Sequence, residues 1–370
     1  MRILALEPYH GGSHAAFLAG WSARSRHAWT LLTLPPFKWK WRMRHAAITL
    51  ADETARAFDE GRRWDALFCS DMLNLAEFRG LAPEAIRRMP CIVYFHENQL
   101  TYPVRHESER DYHFVLTNLT TAMAADRVWF NSAFHRDSFL DALPAFLKRM
   151  PDHQPLAAVE RIRARATIHP PGIDPLPIRP ARTPGPLRLL WAARWEHDKN
   201  PETFLAALKL LDRKAVPFRI SIVGEQFREY PAAFDEIRTL WEDRIDHWGY
   251  QPSRTAYEKA LATSDVIVST AWHEFFGLSV VEAVAAGCHP LLPHRLAYPE
   301  LFASAGIDET APFFYDGSAE DLADRIGHLS EKLRTVGHVD PPMDLGERFT
   351  ACFGWDALAP LYDEAVESIG

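Results

Sequence analysis

A chain of 370 residues is too long for one ordinary core and suits two domains of about 100–200 residues each. With 47% apolar and 24% charged residues the composition is globular, and a net charge of −8 excludes a general nucleic-acid binder, so any such contact must come from a local patch. No run approaches the ~20 apolar residues of a membrane-spanning helix, and the four scattered cysteines (Cys69, Cys91, Cys288, Cys352) form no CxxC, which favours reduced thiols in a cytoplasmic protein over a disulfide framework or a zinc site.

The chain opens on an apolar run at 3–6. The acid Glu7 and Pro8 follow where a signal peptide would stay apolar, so the run reads as a first strand. Further strands are expected at 29–34, 66–70, 92–95, 128–131 and 167–169. Helical periodicity lies between them, at 14–23, 46–61, 112–125 and 132–147. This alternation predicts a parallel sheet covered by helices, whose ligands bind beyond the carboxyl ends of the strands.

Three stretches sit at those ends. Tyr9-His10-Gly11-Gly12-Ser13-His14 follows the first strand. Its paired glycines permit close backbone approach, but it is not GxGxxG; the plainer reading is a turn with Ser13 as helix cap. Lys38, Lys40, Arg42 and Arg44 interleave with Phe37, Trp39 and Trp41. Tryptophan faces stack on bases and cations hold phosphates, so this is the composition of a nucleic-acid contact; the alternative is an amphipathic loop with solvated charges. His96-Glu97-Asn98-Gln99-Leu100-Thr101-Tyr102-Pro103 ends an apolar strand with side chains suited to sugar or base edges, and carries no HExxH metal spacing.

Proline and glycine crowd 170–186, so that stretch is expected to be a linker over a cleft. The expected division is 1–175, a linker at 176–186, a second domain at 187–354, and a last helix at 355–370 crossing back to the first domain. The second half repeats the alternation, with strands at 187–193, 218–223, 245–248, 266–269 and 288–292 and helices at 202–211, 318–334 and 355–368. Arg194 and Lys199 stand in a strand-to-helix loop closed by Pro201, a fork donor and a point charge that together suit a diphosphate. Gly224 and Gly249 end strands where a flat base could lie against backbone, with Tyr250 beside it. In Glu274-Phe275-Phe276-Gly277-Leu278-Ser279-Val280-Val281-Glu282 a loop turns at Gly277 and opens a helix near Ser279. Helix N-termini bind phosphate through unpaired amides, and the flanking carboxylates accept from sugar hydroxyls. The pattern describes a nucleotide-sugar pocket.

These features resemble the GT-B fold of retaining glycosyltransferase family 4: Pro170-Pro171-Gly172-Ile173-Asp174, the stretch from Ala193 to Pro201, and the Glu-x7-Glu of Glu274 and Glu282 all fall in that family's order. The resemblance implies two Rossmann-like domains whose parallel sheets face across a cleft. Ala193 departs from it, since the family commonly has glycine before the arginine. The glycine turn at 9–14, the 38–44 stretch, 96–103 and Arg295-Leu296-Ala297-Tyr298-Pro299-Glu300 resemble the tRNA-queuosine mannosyltransferases, which place mannose from GDP-mannose on queuosine at the anticodon wobble position.

The resemblance implies that Arg194 and Lys199 hold the diphosphate, that Gly277, Leu278 and Ser279 cap its distal phosphate, and that Glu274 binds the donor sugar and Glu282 the ribose. Gly224, Gly249 and Tyr250 would lie near the guanine, Gly12 would approach the diphosphate, and His96 would orient the sugar. His10, His14, Lys38, Trp39, Lys40, Trp41, Arg42, Arg44, Glu97, Asn98, Gln99 and Tyr102 would meet the acceptor or its tRNA. Fixed cations at the leaving group make a metal unnecessary. A retaining hydrolase needs carboxyls about 5 Å apart, whereas eight residues of helix span about 12 Å, which disfavours a direct dyad of Glu274 and Glu282. A family-4 enzyme with another donor or another acceptor is the alternative, and a non-enzymatic nucleotide-sugar or RNA-binding module a remoter one.

Overall fold

The structure is a computed structural model that describes residues 1–104, 110–177, 179–339 and 344–369; Ile178, within the expected linker, lies outside the described residues. Two compact units divide the chain, Met1–Gly172 with the chain from Trp355 onward, and Ile173–Gly354.

The first unit is built on six strands: β1 (Arg2–Glu7), β2 (Ala28–Thr33), β3 (Ala66–Ser70), β4 (Cys91–Phe95), β5 (Arg127–Phe130) and β6 (Ala166–Ile168). Their order is β2-β1-β3-β4-β5-β6, all parallel. β3 and β4 are buried at every position, as near-continuous apolar runs in a sheet covered on both faces should be. The last helix, Trp355–Glu367, closes this unit. A Cβ on Gly20 would lie 2.0 Å from Trp355 Nε1, and one on Gly172 2.3 Å from Trp355 Cδ2, so both positions are bare where the indole seats. Asp363 accepts from Trp21 Nε1 (2.9 Å), Ser25 Oγ (2.7 Å) and the Arg26 amide (2.7 Å), and Tyr362 Oη donates to the Pro170 carbonyl.

The second unit repeats the plan with β7 (Leu187–Ala192), β8 (Phe218–Val223), β9 (Ile245–Gly249), β10 (Val266–Val268), β11 (His289–Pro293) and β12 (Phe314–Tyr315), in the parallel order β12-β11-β10-β7-β8-β9. The proline-rich segment is stitched to this unit. Arg182 grips both oxygens of buried Asp265 at 2.9 Å, and Arg179 donates to the Ser264 carbonyl at 2.7 Å.

Several expectations need correction. The helix expected over 46–61 is Trp39–Asp59. Its first turns bury Met43, Ala46, Ala47 and Leu50 at helical spacing, an apolar stripe hidden among the cations. Ser13 caps nothing: the helix is Gly12–Ser22 with Gly11 at its N-cap. Helices Leu75–Leu81, Ala157–Arg163, Ala233–Trp241, Arg254–Thr263, Tyr298–Ser304 and Leu345–Phe353 were not expected; all but one are nine residues or fewer, too short for periodicity to separate them from loops.

Candidate active site

In the second unit the loops after β7 and β10 are tied together. Lys199 is buried and donates Nζ to the His273 carbonyl (2.7 Å) and to Glu274 Oε2 (3.3 Å), with Asp198 Oδ2 also at 3.3 Å. The Trp272 and His273 amides donate to the Asp198 carbonyl at 2.8 and 3.3 Å. Ser279 Oγ donates to the Ala192 carbonyl at 2.7 Å, fixing the start of the helix Leu278–Ala285 against the end of β7. Burial pushes the Lys199 ammonium down, but Glu274 and Asp198 outweigh it and the net shift is upward. For Glu274 burial pushes up, while Lys199 and His273 pull harder and the net shift is downward. Both shifts favour a charged pair at neutral pH.

Gly277 is the N-cap of that helix at φ 95°, ψ 47°, a left-handed conformation that a side chain would strain, and it offers no side-chain cap. The amides of Leu278 and Ser279 are first-turn donors of the kind that receive an anion. A Cβ at this position would also come within 3.0 Å of Tyr298 Cε1. Tyr298 is itself locked to Ser269 Oγ at 2.6 Å. Lys199, Glu274, Ser279, Tyr298 and the ends of β7 and β10 line one hollow.

Arg194 stands on the same loop as Lys199 but is exposed and turned to Glu196 at 3.1 Å. It remains within electrostatic reach, since its charge lowers the pKa of both Lys199 and His273. Glu282 lies apart from the hollow. Its two oxygens accept from Arg254 (2.6 Å) and Tyr257 Oη (2.9 Å), two residues that no motif announced. Gly224, at φ 151°, has a reason internal to the fold, because a Cβ there would meet the Ala193 carbonyl at 1.8 Å. Gly249 packs beside the Gln226 side chain, and Tyr250 is 71% exposed. Trp272, unnoticed in the sequence, is 57% exposed next to the Lys199 loop.

In the first unit the predicted residues divide. Gly12 is exposed and nothing lies within 4 Å of where its Cβ would be. His10 is half-buried, its amide bonded to the Leu34 carbonyl at 2.9 Å. His96 is partly exposed, stacked on buried His14 with ring centroids 3.8 Å apart. Asn98 is fully buried, and its Oδ1 accepts from the Leu100 and Thr101 amides at 3.1 and 2.8 Å, so this side chain shapes the loop. Gln99 reaches Glu97 at 3.2 Å, and both are half-buried. Arg110 donates to the carbonyls of Gln99, Leu100 and Tyr102, which fixes the loop from outside.

The aromatic–cationic stretch also separates. Phe37 and Trp41 are each 62% exposed, and Lys38, Lys40 and Arg44 are exposed too, with the Arg44 guanidinium over the Phe114 ring at 4.7 Å. Trp39 packs on Phe114 at 5.1 Å, and Arg42 is bound to the Pro35 carbonyl (3.0 Å) and His45 (2.8 Å), so these two are parts of the fold. Donor atoms of Glu7, His14 and His96 lie within 4.8 Å of one another, the separation a metal would need. Glu7 already binds His14 at 3.1 Å, and near-parallel rings aim their lone pairs side by side instead of at one point. This trio is better suited to serving itself than to holding an ion.

Two parallel six-stranded α/β units with this strand order, and a cation–carboxylate pair beside an uncapped helix N-terminus, define a GT-B glycosyltransferase. Residues 176–334 match the family described as glycosyl transferases group 1, and residues 2–173 match the tRNA-queuosine alpha-mannosyltransferase N-terminal family. The chain belongs to the tRNA-queuosine alpha-mannosyltransferase family: it is 36% identical over 323 residues to the enzyme of that name from Drosophila melanogaster, covering 84% of each chain. Solved structures agree in fold at low identity. Sucrose-phosphate synthase from Thermosynechococcus elongatus superposes with a TM-score of 0.70 at 16% identity, covering 100% of this chain and 99% of that one. Anabaena Alr3699/HepE in complex with UDP-glucose gives 0.69 at 14% identity, covering 100% of both. Among the described residues no helix is long and apolar enough to cross a membrane.

Proposed function

We propose that this chain transfers mannose from GDP-mannose to the queuosine base at the tRNA wobble position, with retention, as a cytoplasmic enzyme using neither a membrane nor a metal. The observation that carries the reading is the charged Lys199–Glu274 pair beside the uncapped turn at Gly277, in a chain related along most of its length to a tRNA-queuosine alpha-mannosyltransferase.

Charge drives the mechanism. Breaking the anomeric C–O bond builds positive charge on the mannose and negative charge on the diphosphate. Lys199, Arg194 and the Leu278 and Ser279 amides receive that negative charge, and the preorganised donors need no rearrangement as it forms. In the structure both cations rest on acids, Lys199 on Glu274 and Arg194 on Glu196. Diphosphate competes for those cations and frees Glu274 to accept from mannose hydroxyls. Glu282, its oxygens oriented by Arg254 and Tyr257, binds the ribose. The departing phosphate takes the acceptor proton, so no covalent glycosyl-enzyme forms. His96 hydrogen-bonds a substrate hydroxyl, and Phe37, Trp41 and the neighbouring cations meet the tRNA.

Incubation with radiolabelled GDP-mannose and tRNA with or without queuosine tests the reading. Label should enter only queuosine-containing tRNA, and EDTA should leave the rate unchanged. Transfer from another nucleotide sugar, or to a lipid or free glycan alone, overturns the donor or acceptor assignment. Neutralising Lys38, Lys40 and Arg44 together should flatten the salt dependence of tRNA binding by about 0.7–0.9 per lost phosphate contact; an unchanged slope removes that patch from the RNA interface.

A further inference from the structure

His96 has an unusual setting for a substrate-facing group. Among the described residues its ring nitrogens have no hydrogen-bond partner, yet everything else about it is held. Its amide donates to Asp71 Oδ1 at 2.9 Å, and its carbonyl accepts from Asn131 Nδ2 at 3.0 Å. The ring lies on His14 at 3.8 Å with 28° between the planes, and Tyr94 and Phe17 meet it edge-on at 4.6 and 5.5 Å.

His14 is fixed in turn by Glu7, whose Oε2 meets Nδ1 at 3.1 Å. The other oxygen of Glu7 accepts from the Tyr9 amide (2.8 Å) and Ser70 Oγ (3.0 Å). Glu7 is 1% exposed and His14 7%. Folding alone asks for no carboxylate here, since the four residues of β1 before it, Ile3, Leu4, Ala5 and Leu6, are apolar and a buried ion pair gains little over a packed apolar pair. A costly pair directly behind a ring with free nitrogens points to a task.

We propose that Glu7 and His14 are a positioning pair for His96: the Glu7 carboxylate fixes the His14 ring, and that ring holds His96 in one orientation with its nitrogens left for substrate. The inference rests on the substrate role of His96 given above. Electrostatics agree with the geometry. Burial lowers the His14 pKa, but Glu7, Asp71 and Glu97 outweigh it and raise it to about 9, so the ring is cationic at neutral pH. Burial, then His14 and His135, hold His96 well below the usual range, so it is neutral. The charged and titratable groups around His96 are thus Glu7 from β1, His14 from the first helix, Asp71 after β3, Tyr94 and Glu97 along its own strand and loop, and His135 from the helix Ala133–Leu147. A neutral imidazole can accept from a hydroxyl, whereas an imidazolium can only donate.

The test uses the full chain and two readouts, the NMR titration of the His96 ring and the pH profile of kcat/KM for mannose transfer. Glu7→Gln retains an oxygen for Tyr9 and Ser70, and His14→Gln leaves Glu7 in place, so one covers for a folding defect in the other. In either variant the His96 midpoint should rise by about one unit, kcat/KM should fall about 10–100-fold, and the acid limb should move to higher pH. Folded variants with the parental midpoint and acid limb overturn the pairing. His96→Ala separates the two claims: if it turns over like the parent, the substrate role of His96 fails and the pair has nothing to position. If it is inactive while Glu7→Gln and His14→Gln are not, only the pairing fails.

Discussion

The two units hold charge in opposite ways. Around Lys199 the ammonium is itself buried and has Asp198 behind it, but the acids in front of Lys199 and Arg194, Glu274 and Glu196, are 25–28% exposed at the side chain and within reach of a ligand. Around His14 the charges are sealed, with side-chain exposures of 9% and 2% for His14 and Glu7, and each bond braces the next. A pair whose acid can be reached can pass its cation to a ligand, because phosphate competes for the same donor. A sealed pair cannot, because breaking it strands a buried charge. The first arrangement therefore suits groups that touch substrate, and the second suits groups that aim one.

The sharpest way to break this contrast is to remove the cation of the reachable pair. Lys199→Ala should cost about 2.7–4 kcal/mol of transition-state stabilisation, or about 10²–10³ in kcat, while tRNA binding stays near that of the parent. A turnover close to the parent's would place the leaving-group charge elsewhere. A smaller effect should follow at Glu282. Arg254→Ala removes one of the two donors that orient its carboxylate. The KM for GDP-mannose should rise about tenfold, as the loss of one charged hydrogen bond implies, with kcat changed less. An equal fall in kcat would mean that Arg254 acts on the reaction itself.

The same contrast explains how much was legible in the sequence. Open sites announce themselves through the backbone. A strand that ends in glycine or in a cation before a proline-started helix leaves a local string, and Lys199, Gly277 and Glu274 were readable together for that reason. Eleven of the twelve strands among the described residues could be placed too, because strongly apolar runs separated by helical patterns leave few other arrangements; the missed one, β12, is two residues long. The sealed site was announced only in pieces: His14 and His96 stood in two separate strings at strand ends, and nothing joined them to each other or to Glu7. Glu7, His14 and His96 come from three separate elements, and Arg254 lies 28 positions from the carboxylate it orients. The 38–44 stretch misled in a subtler way. Its cations suggested a loop, but left-handed Lys38 at φ 53° starts a helix whose inward face takes Trp39 and leaves Trp41 outside. Composition described the patch and geometry decided which half of it is free.

The last test moves from turnover to stability and compares a buried group of each unit through its pH dependence. In the second unit His289 is buried against Phe313, and burial drives its pKa down to about 4. As pH falls from 6.5 towards 4 the unfolded chain binds a proton that the folded chain does not, so stability falls, by up to about 3 kcal/mol over the window. Around Asp71 in the first unit the sign reverses, although His169 there, which burial lowers to about 3, adds to the acid loss. Burial raises Asp71 to about 8 against the opposing charge of His14, and His14 itself stands at about 9. From about pH 4 to 8 folded Asp71 keeps a proton that the unfolded chain has released, and from about 6.5 to 9 His14 does the same, so both contributions to stability fall as pH rises. Between about pH 4 and 6.5 the Asp71 contribution therefore offsets that of His289, and above that it adds to that of His14. In thermal denaturation from about pH 4 to 9, His289→Phe should lessen the acid loss alone, whereas Asp71→Asn should steepen the acid loss and flatten the alkaline one. An acid loss that His289→Phe leaves unchanged, or that Asp71→Asn does not steepen, would mean that these protons are not bound where burial assigns them.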